Sequence, residues 1–213
     1  MDQLSRIADK IHLSFETITR ARDQALIQSR QVVVHAAHAI RAIHREDHAQ
    51  AHKELEQAQR LTKELRLALN AYPSLYYAGY TQDAIKEYVE ASITCALIEN
   101  RPLPSPEELE VEYATYLNGL AESSGELRRR SLDVMRQNRL DEAQRLLSCM
   151  DDIYAVLVTM DYPDAITNGL RRQTDLVRGI LERTRGDLTI SQREEQLKQT
   201  LEAFMLRLEQ KQR

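Results

Sequence analysis

Two pairs of carboxylates stand out by spacing and by setting. Glu87 and Glu90 lie one helical turn apart in IKEYVEASITCALIE, residues 85–99, a stretch otherwise largely apolar or small. Glu122 and Glu126 are spaced i, i+4 in YLNGLAESSGELRRR, where Gly119 and Gly125 flank them. At 100° per residue, Ile85, Tyr88, Val89, Ile93, Ala96 and Leu97 share one helix face, and the two glutamates fall opposite. That opposite face also holds Ala84, Ala91, Thr94, Cys95 and Ile98, where a surface helix would carry solvated residues. A helix apolar on nearly all sides is expected at the centre of a bundle, with Glu87 and Glu90 largely buried. Glycine costs about 1 kcal/mol in a helix interior relative to alanine, so Gly119 and Gly125 predict close approach of another backbone or a ligand. If the two pairs face each other, each close pair repels by about 4 kcal/mol at an effective dielectric near 20. All four could not stay ionised without a cation. Oxygen-only ligands favour Mg²⁺ or Mn²⁺ over zinc.

Spacing by itself does not define such a site. The chain has 33 acidic residues, and Glu107 with Glu110 and Glu108 with Glu112 repeat the same intervals on what reads as an ordinary helix start. The apolar setting of one pair and the glycines of the other set these four apart. The histidines of VVVHAAHAIRAIHREDHAQAH offer a rival metal set, since His44, His48 and His52 are evenly spaced. A helix break expected at Asp47 separates His44 from His48, and the Ala-rich surroundings with Arg41 and Arg45 read as a polar or nucleic-acid-facing surface instead. Cys95 and Cys149 sit in apolar helical contexts and read as reduced, buried thiols. There is no Gly-rich phosphate loop, G-x-S-x-G or H-E-x-x-H.

The elements that must carry these residues are helices. Gly and Pro number 6 and 5 in 213 residues, aromatics make up 5%, Trp is absent, and strong helix formers carry the rest. Leu4, Ile7, Ile11, Ile18, Ala25, Val32 and Ile40 mark a stripe sustained for about 40 residues, a first helix of roughly 60 Å. The pattern restarts at the Asp47 N-cap and ends at Pro73, giving an antiparallel hairpin. NAYPSLYYAGYTQ, a loop with Tyr76, Tyr77 and Tyr80 close together, leads to the helix at about 82–99. ENRPLPSP breaks the chain, and Ser105-Pro106-Glu107-Glu108 starts a fourth helix to about Gln137. A fifth covers about 140–160, a sixth 163–185, and RGDLT separates a last amphipathic helix. The chain is thus all-α with seven helices. The net charge of −4 covers local Arg clusters in GELRRR, LRR and ERTRG. No run of apolar residues is long enough for a membrane span, and MDQLSRIADK lacks a signal-peptide pattern, so no membrane partner and a cytoplasmic location are expected.

AIKEYVEA at 84–91 with YLNGLAESSGELRRRSLD at 116–133, behind a very long first helix and Pro-punctuated helices, resembles the translin superfamily. Within it the chain is more similar to translin-associated factor X and its prokaryotic relatives than to translin. The likeness covers about residues 3–189, which implies a translin-like helical domain over 1–189 and a C-terminal amphipathic helix over 190–213, seven helices in all. Family members form closed octameric shells, and the factor X subunit supplies a Mg²⁺-dependent endoribonuclease site for single-stranded RNA. The resemblance matches Glu87, Glu90, Glu122 and Glu126 to that site's acidic residues. Glu122 departs from the pattern, since the nuclease subunit has Asp there. YYAGYTQDAIKEY also lacks the basic, His-containing stretch with which translin binds nucleic acid. RNA contacts must then come from elsewhere, with Arg41, Arg45 and Arg129 as candidates because Arg meets phosphate oxygens bidentately. The expectation is a Mg²⁺- or Mn²⁺-dependent endoribonuclease acting on single-stranded RNA in a homo-oligomer. The alternative is a non-catalytic oligomer that binds single-stranded RNA or DNA.

Overall fold

The structure is a computed structural model that describes residues 2–211; Met1 and the last two residues of the expected 190–213 segment lie outside the described residues. It is all-α, with nine helices among the described residues. These are α1 (Asp2–His44), α2 (His48–Ala68), α3 (Pro73–Tyr76), α4 (Gly79–Ile98), α5 (Pro106–Leu109), α6 (Tyr113–Arg136), α7 (Leu140–Val158), α8 (Asp164–Thr167) and α9 (Leu170–Lys211). The very long first helix is present, and α3, α5 and α8 are single turns. No described helix is long and apolar enough to cross a membrane.

Four boundaries differ from expectation, one of them in the expected 163–185 helix, which breaks after one turn where Asn168 and Gly169 take positive φ. The expected helix from Pro106 to Gln137 is broken after one turn, because Glu110 adopts left-handed backbone angles (φ 55°, ψ 45°). Its carboxylate and carbonyl are gripped from α2, by Lys63 at 3.4 Å and Arg66 at 2.9 and 3.2 Å. RGDLT does not end a helix. Thr184 and Leu188 are buried on the same face as Val177 and Leu181, so packing outweighs the roughly 1 kcal/mol cost of Gly186 and α9 runs on through it. The tyrosine loop is also more ordered than expected: Tyr72, Tyr76 and Tyr80 pack on a small cluster of Ala25, Leu65, Leu69 and Leu75, and α4 begins at Gly79. Several helices stop at residues with positive φ, Glu46, Asn100, Asn138 and Asn168 among them.

The direction of each long helix follows from its partners. α1 and α2 form the expected antiparallel hairpin, with His35 against Glu54. α4 and α6, by contrast, run parallel: Thr115 donates to Gln82, Gly119 abuts Val89, and Lys86 donates to Glu122. The 99–112 connection therefore travels the length of the bundle, from Glu99 beside His48 and His52 to Glu110 beside Arg66. α7 returns antiparallel, and α9 runs parallel to α6, with Gln173 on Glu122 and Arg128 on Thr184 and Asp187. The main core is continuous from α1 through α4 and α6 to α9, and Ile43, Ile93, Leu127, Leu146 and Leu188 are all within it.

One ion cluster locks the end of the bundle where α1 turns into α2. Buried Arg130 bridges Glu46 at 2.6 Å and Glu142 at 2.9 Å, and Arg139 joins both carboxylates. Hydrogen bonds from Arg139 and Arg130 hold the Glu46 carboxyl at about 2. Removing the central cation leaves Glu142 partly buried without it, a mechanism that costs several kcal/mol. Arg130→Met is expected to lower unfolding stability by about 3 kcal/mol, read as a fall in denaturant midpoint at an unchanged slope.

Candidate metal centre

α4 is the central helix, with most of its residues buried, as its near-uniform apolarity predicts. α6 lies so close that an added Cβ at Gly119 would sit 2.7 Å from Val89 Cγ1 and 3.0 Å from the Lys86 carbonyl. The close backbone approach expected from the glycines is real at Gly119. Gly125 has open space around it and faces a groove of about 850 Å³ between α6 and α9.

The tight α4/α6 seam brings three of the four carboxylates together. Glu87, Glu90 and Glu122 can each place an oxygen within 4.8 Å of the others, and all three side chains are partly buried. Among the described residues Glu87 and Glu90 form no hydrogen bond or ion pair, and the Lys86 charge only partly offsets what raises their carboxyls. Glu122 does: its Oε1 accepts from Lys86 Nζ and from Gln173 Nε2, both at 2.9 Å. Glu126, outside the tight group, is one turn further along α6. It accepts from His44 Nε2 at 2.5 Å, with Arg129 at 3.6 Å.

The electrostatics split the four. Burial pushes the Glu90 carboxyl up to about 8, and the charges of Glu87, Glu122 and Glu126 add to that. Burial also raises Glu87. Glu126 goes the other way, because the hydrogen bond from His44 holds its carboxyl below the usual range. Burial disfavours the Lys86 ammonium, but the hydrogen bond and charge of Glu122 outweigh it and raise its pKa. Two carboxylates without a hydrogen bond or ion pair among the described residues, beside a third oxygen and with no Cys or His among them, suit a hard divalent ion such as Mg²⁺ or Mn²⁺.

Arg41 and Arg45 are exposed and form no ion pair among the described residues. Arg41 lies one turn before His44 and so shares the side of α1 that reaches Glu126. Arg129 lies between Glu126 and the α6/α9 groove, which it lines with Arg128 and Arg136. The histidines do not converge. His44 goes to Glu126, whereas His48 and His52 both meet Glu99 at 2.8 Å. Both cysteines are free, and burial drives the Cys95 thiol up to about 12. Lys86, His44 as a partner of Glu126, and Gln173 were not anticipated. Lys86 carried a signal, being the single cation in an apolar helix; Gln173 carried none, since its role depends on how α9 docks.

No protein-family model matches the chain. It is 33% identical over 191 residues to the uncharacterized protein MJ0175 of Methanocaldococcus jannaschii, spanning 89% of this chain and 84% of that protein. Among solved structures, AfC3PO in a complex with duplex RNA is similar with a TM-score of 0.81 and 31% identity, over 86% of this chain and 95% of the other. AfC3PO alone gives 0.80 and 31%, over 86% and 96%. Apo-NeC3PO gives 0.78 and 25% over the same shares. The chain belongs to the translin/C3PO superfamily.

Proposed function

We propose that the chain is the subunit of an RNA-binding homo-oligomer that cuts single-stranded RNA with the help of Mg²⁺ or Mn²⁺, on the pattern of translin-associated factor X. The observation that carries this reading is the convergence of Glu87, Glu90 and Glu122, two of them without a hydrogen bond or ion pair among the described residues. The likeness to AfC3PO, which forms a complex with duplex RNA, supports RNA as the ligand. A bound divalent ion would polarise a phosphodiester and lower the pKa of a water molecule. Glu87, Glu90 and Glu122 would hold it. Glu126, kept ionised and oriented by His44, would accept a proton or bind an ion-bound water. Arg41, Arg45 and Arg129 would contact the phosphates of the strand.

Purified protein should cleave labelled single-stranded RNA in Mg²⁺ and not in chelator. The Glu87→Ala/Glu90→Ala variant should lose more than the roughly 10–100-fold that removal of an outer partner costs at metal sites. Undiminished cleavage by that variant sinks the proposal.

One observation favours the non-catalytic alternative. The Lys86 ammonium already neutralises Glu122, so part of the acidic pocket is balanced by the protein itself. On that reading the oligomer binds single-stranded RNA or DNA with an affinity that falls steeply with salt. It yields no product with any divalent ion. The same cleavage assay decides between the two.

A further inference from the structure

Two helices run well past the bundle, one at each end. α1 meets its first neighbours at Ala21 and Ala25, beside Leu65 and Leu69. Residues 2–20 project beyond that cluster for about 29 Å. α9 keeps company with α7 as far as Gln192, which donates to Gln144 at 3.3 Å. Its last 16 described residues extend alone for about 24 Å. Both arms expose apolar stripes. Leu4, Ile7, Ile11, Phe15 and Ile18 are 37–72% exposed, and Leu197, Leu201, Phe204, Met205 and Leu208 are 45–61% exposed. Leu4, Ile7, Ile11 and Ile18 fall on the positions of a coiled-coil seam, with Ser14 at the one polar step, and Leu197, Leu201, Phe204 and Leu208 follow its four- and three-residue steps.

The arms of one chain cannot cover each other. α1, α4, α6 and α9 run in the same direction, so the α1 arm leaves the bundle at one end and the α9 arm at the other. A second copy placed end to end brings them together, and the two helices are then parallel. Full overlap of the arms corresponds to one constant offset of 190 residues, which sets Ile7 beside Leu197, Ile11 beside Leu201 and Ile18 beside Leu208. The exposed parts of these stripes amount to roughly 1,000 Å² of apolar surface, close to the scale of a specific interface. Parallel pairing of two α9 arms would instead bring Arg193 near Lys198 of the partner subunit, like charge against like.

We propose that the two arms are the halves of one joint between copies: the α1 arm of one subunit lies parallel along the α9 arm of the next. This deepens the oligomeric part of the proposed function and does not depend on catalysis. Because donor and acceptor surfaces differ, the contact is head-to-tail, the kind that closes into rings or extends into filaments.

Oxidative cross-linking tests it on the full chain. The Ile11→Cys/Leu201→Cys variant should give disulfide-linked dimers and higher species on non-reducing gels. Ile11→Cys alone and Leu201→Cys alone should show no more cross-linking than wild type, whose own cysteines are buried or partly buried. Dimers from either single variant would mean that like arms pair, and an uncross-linked double variant would mean that the arms do not meet. Both outcomes overturn the joint, and neither touches the cleavage assay, so the two proposals fail separately.

Discussion

Gly119→Ala is expected to destabilise the protein and to disperse its carboxylate pocket, while Gly125→Ala does neither. At Gly119 the new methyl would lie 2.7 Å from Val89 Cγ1, 2.8 Å from Val89 Cβ and 3.0 Å from the Lys86 carbonyl oxygen. Two of those atoms cannot swing aside by a rotamer change, and Val89 is fully buried. α4 and α6 must therefore move apart. Overpacking of this kind costs about 1–3 kcal/mol or more, against about 1 kcal/mol gained in helix propensity. A net loss of about 2 kcal/mol would lower Tm by roughly 4–8 °C in a chain of this size. At Gly125 an added Cβ meets nothing within 4 Å, so only the propensity gain of up to about 1 kcal/mol remains. Thermal unfolding of the two variants should move in opposite directions. Separation of α4 from α6 also carries Glu122 away from Glu87 and Glu90, so Mg²⁺ should stabilise Gly119→Ala much less than wild type. Equal Mg²⁺ shifts in both proteins would place the ion elsewhere.

The second large effect is set by Glu90. Its carboxyl, at about 8 in the folded chain against 4.5 when free, holds its proton more tightly folded than unfolded. Its contribution to stability is complete below pH 4.5 and is lost as pH rises through 8. At about 1.4 kcal/mol per unit this amounts to as much as about 5 kcal/mol in metal-free protein. Glu90→Gln keeps the uncharged form at every pH. In chelator, the stability of Glu90→Gln relative to wild type should therefore climb between pH 4.5 and 8 and level off above it. Mg²⁺ reverses the sign for wild type, because it binds the ionised carboxylates and releases their protons. Its stabilising shift should grow from pH 6 to 8.5 in wild type and shrink sharply in Glu90→Gln, as thermal unfolding with and without the ion will show.

Much of this site was legible in the amino-acid order. A helix apolar on nearly every side has to be central, as α4 is; the glutamate pair on it, expected to be largely buried, is only partly so. Gly119 announced a close contact because glycine in a helix interior needs a reason. What escaped depended on which distant residues dock where. Glu110 breaks the expected fourth helix without a Gly or Pro to mark it, and the partners that hold the break, Lys63 and Arg66, are more than 40 residues away in α2. Gly186 misled in the other direction: it reads as a stop, but the buried face through Thr184 and Leu188 carries α9 across it. The four acidic residues were singled out as equals. The pocket makes them unequal, through Lys86 on Glu122 and His44 on Glu126, and neither pairing follows from spacing.

The parallel run of α4 and α6 has a consequence for the order in which the chain folds. The α1/α2 and α6/α7 hairpins close through short turns and are local. The α4/α6 seam joins residues about 30 apart, and it forms only once the 99–112 segment has been laid back along the whole bundle, a loop-closure cost met before the contact rewards it. The carboxylate pocket is thus expected to assemble after the two hairpins. On that order of events an ion bound there should slow unfolding while leaving the folding rate nearly unchanged, as folding and unfolding rates with and without Mg²⁺ will show.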